Sequence, residues 1–127
     1  IFGLGSTIAG LQVAAAPTAG NLRFIDRPAD GSAGGISVFS PLGYQSGAFN
    51  HFAIRKSGTV SSIFVNGVAV ASGTGTTGTF NGLTDFVIGQ NAPASAIRRY
   101  VGSLDEIRVY AAALSDSDIA SLAAPSA

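Results

Sequence analysis

Residues 61–72, SSIFVNGVAVAS, set Asn66-Gly67 between two runs rich in β-branched side chains. Both residues tolerate positive φ, as a two-residue type I′ hairpin requires, so this stretch is bound to two antiparallel strands joined by a tight turn. The same grammar governs the rest of the chain. IFGLG (1–5), IAGLQVAAA (8–16), NLRFI (21–25), GISVFS (35–40) and LTDFVIGQ (83–90) are short apolar runs separated by Pro17, RPADGSAGG, PLG and the Gly/Thr-rich GTGTTGTFNG. Such spacing predicts a sandwich or barrel rather than βαβ units. HFAIRK (51–56) is a further strand, with Phe52 and Ile54 on one face and His51, Ala53 and Arg55 on the other. One helix is predicted in LSDSDIASLAA (114–124): Ser115 as N-cap and Asp118 three residues on form a capping-box arrangement, and Leu114, Ile119 and Leu122 would dock it on the sheets.

A chain of 127 residues has room for one domain. The reading is a single domain over 1–124, with 125–127 as a tail or linker. No apolar run approaches the roughly 18 residues that cross a bilayer as a helix. Seven basic and seven acidic residues cancel, so net charge argues for neither a nucleic-acid nor an anionic-membrane partner. The absence of Cys removes disulfides, thiolate nucleophiles and zinc ribbons. With only 11% charged residues and a mean hydropathy of +0.40, part of the apolar surface is expected to be covered by neighbouring chains of a homo-oligomer or larger assembly. A start at Ile1, with no Met and no signal-peptide pattern, reads as a piece of a longer polypeptide.

YVGSLDEIRVY (100–110) is predicted to be a long closing strand that carries three charges. In such a strand Asp105 shares a face with Ile107 and Val109, and Glu106 shares the other with Leu104, Arg108 and Tyr110. Asp105 is then a buried carboxylate that needs a partner, with Arg98, Arg99 and nearby backbone N–H groups as candidates. That makes it a structural lock. Glu106 and Arg108 form a solvated pair of little energetic weight.

Four pieces standing in order carry a family resemblance: FNHFAIRKSG (49–58), SIFVNGVAVAS (62–72), FVIGQ (86–90) and VGSLDEIRVYAAALSDSDIASL (101–122). They resemble the "W-H-H-V-A" strand, the "L-Y-V-D-G" hairpin and the "G-x-I-D-E-V-R-I-Y-N-R-A-L-S" ending of laminin-G-like, or concanavalin A-like lectin/glucanase, domains of bacterial and phage surface proteins. The resemblance covers roughly residues 49–122 and implies an all-β jelly-roll sandwich with one short C-terminal helix. The family's "F-T-I-S-A-W-V" opening strand has no counterpart here, so the domain is expected to be N-terminally incomplete. Asn66 replaces the family's Asp, and Phe49 its Trp.

For function, the resemblance implies a non-catalytic module that binds glycans or cell-surface polysaccharide and serves attachment, within an extracellular, cell-surface or virion protein such as a phage tail fibre. Glycoside hydrolases on this fold carry acids at alternate positions of one strand, as E-x-D-x-x-E, and no such run occurs in this sequence. Asp105 and Glu106 point opposite ways in a strand, whereas a glycosidase pair must face one sugar. The rival reading is a structural virion or assembly module whose exposed sheet edge binds neighbouring chains. Many members of the superfamily hold glycans through Ca²⁺, for which Asp26, Asp30 and Asp85 are the candidates. Turn initiation around Pro28 and Gly31 competes for the first two. Tyr44, Phe80 and Tyr100, in or beside loops, are candidates for sugar stacking and compete with core packing. His51 has no nucleophile or acid constellation around it in sequence and reads as a packing or hydrogen-bonding residue.

Overall fold

The computed structural model describes residues 2–5, 10–15, 21–27, 35–41, 47–75, 85–89 and 100–125. The strands are β1 (Phe2–Gly5), β2 (Gly10–Ala15), β3 (Leu22–Arg27), β4 (Ile36–Phe39), β5 (Phe52–Ser57), β6 (Val60–Val65), β7 (Val68–Thr74) and β8 (Asp85–Ile88), followed by helix α1 (Asp116–Ala123). They form two antiparallel sheets, one in the order β4-β3-β2-β1-β8 and one in the order β5-β6-β7. These strands coincide closely with the apolar runs of the sequence.

Strand alternation builds the core. In β3, Leu22 and Phe24 fall on one face with Asp26; across the sandwich, Ile63 and Val65 of β6 face them, with Val38 of β4 completing the buried cluster. Phe52 and Ile54, as expected, turn to this side and pack against it. The two sheets approach closely where β4 crosses β7. A Cβ at Gly73 would stand 3.0 Å from a Val38 methyl, and one at Gly75 would stand 3.0 Å from Ile36.

The Asn66-Gly67 turn forms as predicted, with φ of 49° and 82° and Val65 paired to Val68. Its glycine meets a second demand besides backbone freedom, because a Cβ there would lie 3.0 Å from the Ala120 Cα of α1. Asn66 also uses its side chain. Its Oδ1 accepts from the His51 N–H at 3.0 Å while its Nδ2 donates to Asn50 Oδ1 at 3.1 Å, a pairing that the Asp of the family pattern lacks the donor to make. Val70 is an extra residue in β7, marked by the register shift between Ile63 and Phe64.

Helix α1 begins as the sequence indicates. Ser115 Oγ accepts from the Asp118 N–H at 3.1 Å, and Asp118 accepts in return from the Ser115 N–H, closing a capping box. Ile119 is its buried anchor. The helix is tied to the second sheet by Arg55, whose Nη1 donates to Leu114 O at 3.1 Å and to Asp116 Oδ1 at 2.5 Å. The same guanidinium lies 4.8 Å from the ring centroid of Phe64, which is fully buried on the face of β6 opposite Ile63 and Val65.

One sequence expectation fails here. Residues 100–110 form no strand, and no described strand pairs with them. The segment leaves β8 through the Tyr100 N–H bond to Gly89 O and reaches Leu114 at the helix start. Between them Glu106 takes a φ of 50°, a left-handed conformation that interrupts any β alternation. Asp105 is therefore exposed rather than buried on an apolar face. Its Oδ1 accepts from the Glu106 N–H at 2.8 Å, a local turn contact in place of the expected inter-element lock. Arg98 and Arg99, its expected partners, lie outside the described residues.

Candidate functional site

The outer face of β3 and β4, away from the core cluster, gathers a polar and aromatic group. Arg23 and Phe39 are register partners across the two strands, and Ser37 stands two residues along β4 from Phe39. The Arg23 guanidinium sits 5.3 Å from the Phe39 ring centroid and its Nη2 donates to Ser37 Oγ at 2.9 Å. The ring remains half exposed, at 49%. Alternation along two paired strands projects these groups to one side. The result is a platform in which a half-exposed ring carries a guanidinium over it, a pairing suited to meeting an apolar ring face together with its polar rim. The sequence reading missed Arg23 and Phe39 because it sought aromatics in loops. The available signal was alternate spacing in NLRFI and GISVFS.

Of the expected calcium residues, only Asp26 has a described side chain. Asp30 lies outside the described residues. Asp85 opens β8 opposite Gly5. Asp26 belongs to β3 rather than to a turn, and its buried carboxylate accepts from Lys56 Nζ of β5 and from Ser61 Oγ of β6 at 3.4 Å. That makes a clasp between the two sheets. An acid already facing an ammonium in a near-anhydrous site is poorly disposed to take a second cation, and among the described residues no three His, Cys, Asp or Glu are grouped to hold a metal.

Of the expected sugar-stacking aromatics, only Tyr100 is among the described residues. Tyr44 and Phe80 lie outside the described residues. Tyr100 is half-buried, with its ring folded over Gly102, where a Cβ would come within 2.8 Å of the phenol oxygen. His51 sits partly buried at the start of β5. Burial first, and then the positive charge of Arg108, lowers its pKa below the ordinary imidazole value. Each acid whose side chain is described is engaged elsewhere: Asp26 with Lys56, Asp105 with the Glu106 N–H, Glu106 with Arg108 at 2.6 Å, Asp116 with Arg55, and Asp118 with Ser115.

The profile of a known family, Laminin_G_3 of the concanavalin A-like lectin/glucanases superfamily, matches residues 2–120. The chain belongs to that family. The match reaches well beyond the span carried by the sequence motifs and takes in β1 to β4, which hold the platform. Among solved structures, the 2.1 Å crystal structure of an S-layer domain-containing protein (residues 221–444) from Clostridium thermocellum ATCC 27405 is similar, with a TM-score of 0.52 and 22% identity over 94% of this chain. At that identity the likeness bears on the fold. The chain spans 58% of the length of that structure. Comparison with curated proteins gave no match. A laminin-G-like sandwich packs its interior with side chains, so any ligand is met on an outer face or rim.

Proposed function

We propose that this chain is a non-catalytic carbohydrate-binding module of a larger extracellular protein, carried on a bacterial surface or a virion, and that it meets its glycan on the Arg23–Ser37–Phe39 platform. The observation that carries the reading is Phe39, an aromatic ring left half exposed on a sheet face with a guanidinium fixed over it. Sugars present apolar C–H faces and equatorial hydroxyls, which an aromatic plane and an Arg fork recognise together. The engagement of the described acids in ion pairs and caps supports binding rather than hydrolysis, which needs two carboxyl groups free to face one glycosidic bond.

The test is glycan-array binding of the purified protein and of Phe39→Ala, each run in calcium and in EDTA. Selective binding that survives EDTA and disappears in Phe39→Ala is the expected result. Binding that EDTA abolishes and Phe39→Ala leaves intact would move the site to a bound cation. No binding across a broad panel by a folded sample would overturn the glycan reading.

A further inference from the structure

The Asn66-Gly67 turn carries a chemical liability that its own fold holds in check. An asparagine followed by glycine is the pair most open to attack on its own side chain, because Gly67 has no Cβ to shield its main-chain nitrogen. Asn66 is exposed, so water is at hand. Its carboxamide is nevertheless held at both ends. Oδ1 accepts from the His51 N–H at 3.0 Å and Nδ2 donates to Asn50 Oδ1 at 3.1 Å, while the Asn66 N–H donates to His51 O at 2.8 Å. Asn50 is itself fixed, since its Nδ2 donates to Ala48 O at 3.1 Å and leaves Oδ1 as the atom turned to Asn66.

We propose that Asn66 is a deamidation site gated by the hairpin: closed while residues 48–51 hold the carboxamide, open once the chain unfolds, and irreversible in its result. In the open state the Gly67 nitrogen bonds to Asn66 Cγ and gives up its proton, the Cγ–Nδ2 bond breaks, and Nδ2 leaves as ammonia. Water then opens the cyclic imide at one of its two carbonyls, with no oxidant or reductant involved. Opening at Cγ leaves an ordinary aspartate at position 66. Opening at the main-chain carbonyl leaves an isoaspartate, whose main chain runs on through Cβ and Cγ.

In the folded chain, ring closure needs the carboxamide to rotate until Cγ faces the Gly67 nitrogen, which breaks both side-chain bonds. The turn, with φ of 49° and 82° and Val65 paired to Val68, resists the accompanying swing of the main chain. Two hydrogen bonds of ordinary net worth slow the step by about tenfold or more. The two products then differ in what they do to the fold. An ordinary aspartate keeps an acceptor for the His51 N–H but sets its second oxygen against Asn50 Oδ1. An isoaspartate adds a methylene to a two-residue turn in which a Cβ on Gly67 would already lie 3.0 Å from the Ala120 Cα. That longer turn cannot both match Val65 to Val68 and clear helix α1. Unfolding followed by this modification therefore becomes a one-way event.

The inference is independent of the glycan reading and is tested without any ligand. The intact protein is held at mildly alkaline pH, folded in one arm and unfolded in concentrated urea in the other, and aspartate and isoaspartate at position 66 are followed by peptide mapping. Asn81-Gly82 is a second pair of the same kind, outside the described residues, and in urea it serves as an internal reference. Both pairs should convert at similar rates in urea, and position 66 should convert at least about tenfold more slowly in the folded arm. Asn50→Ala, which removes the acceptor for Nδ2, should raise the folded-state rate several-fold and leave the urea rate unchanged, with its folding checked by circular dichroism. On dilution from urea in an Asn81→Gln background, chains with isoaspartate at position 66 should stay unfolded, whereas Asn66→Asp should refold. Equal rates at position 66 in the two arms overturn the gating. An Asn50→Ala rate that matches the parent's overturns the role given to residues 48–51, and isoaspartate chains that refold like the unmodified protein overturn the irreversibility.

Discussion

Strand β6 and the segment 101–110 have similar sequence character and opposite fates. VSSIFV places Ile63, Phe64 and Val65 almost out of solvent, while EIRVY leaves Ile107, Val109 and Tyr110 exposed. The difference lies in their neighbours. β6 has β5 and β7 on its two edges, the core cluster on one face and the Arg55-tethered helix start on the other. No described strand hydrogen-bonds to the segment 101–110. β propensity is a statement about fitting a pleated, half-buried surface, and where that surface is missing the same residues make no strand.

Mutations can break this contrast at its strongest point. Phe64→Ala, in the fully buried site beneath Arg55, is expected to lower unfolding stability by about 3–5 kcal/mol in urea titration. A loss under half of that would mean that β6 is less enclosed than it looks. Next comes the clasp joining the sheets. Asp26→Ala leaves Lys56 facing a buried site without its carboxylate and should cost about 3 kcal/mol, the lower end for a broken buried pair because Lys56 retains some contact with water. The helix cap comes third: Ser115→Ala removes the acceptor for the Asp118 N–H, with an expected loss of about 1 kcal/mol by thermal melting.

On the exposed side the effects shrink. Asp105→Ala should change stability by no more than about 0.5 kcal/mol, as exposed changes generally do. A loss comparable to that of Asp26→Ala would instead restore the buried lock read from the sequence. The smallest effect is one of pH. His51 has a lowered pKa, so the unfolded chain takes up its proton more readily than the folded one. Its contribution is therefore level above the ordinary imidazole value of about 6.5 and falls as pH drops through that value towards the folded pKa. His51→Gln should flatten that part of the stability curve, as read from urea titrations across pH.

Much of the sandwich was legible because its determinants are local. Asn66-Gly67, the Ser115-to-Asp118 box and the two-residue alternation of HFAIRK each specify their own geometry within a few positions, and all three stand in the structure as read. Asp26 was misread as a turn residue because Pro28 and Gly31 lie just after it. What places it in the interior is Lys56, thirty residues away, which sequence spacing cannot reveal. Asp105 failed for the converse reason. A strand was inferred from its residue types, and the partner strand that would bury it lies beyond what the segment itself encodes. The platform is intermediate: alternation puts Arg23 and Phe39 on predictable faces, but only the β3–β4 register makes them neighbours.

The Arg55 tether also bears on the order in which the molecule is made. Its contacts to Leu114 and Asp116 span 59 and 61 residues, whereas the β6–β7 hairpin closes through two. The hairpin therefore has the low loop-closure cost of an early nucleus, while the helix that shields its outer face is synthesised some fifty residues after it. Until then a nascent chain shows Phe64 to its surroundings. In the interval between those two events the apolar face around Phe64 has no cover of its own.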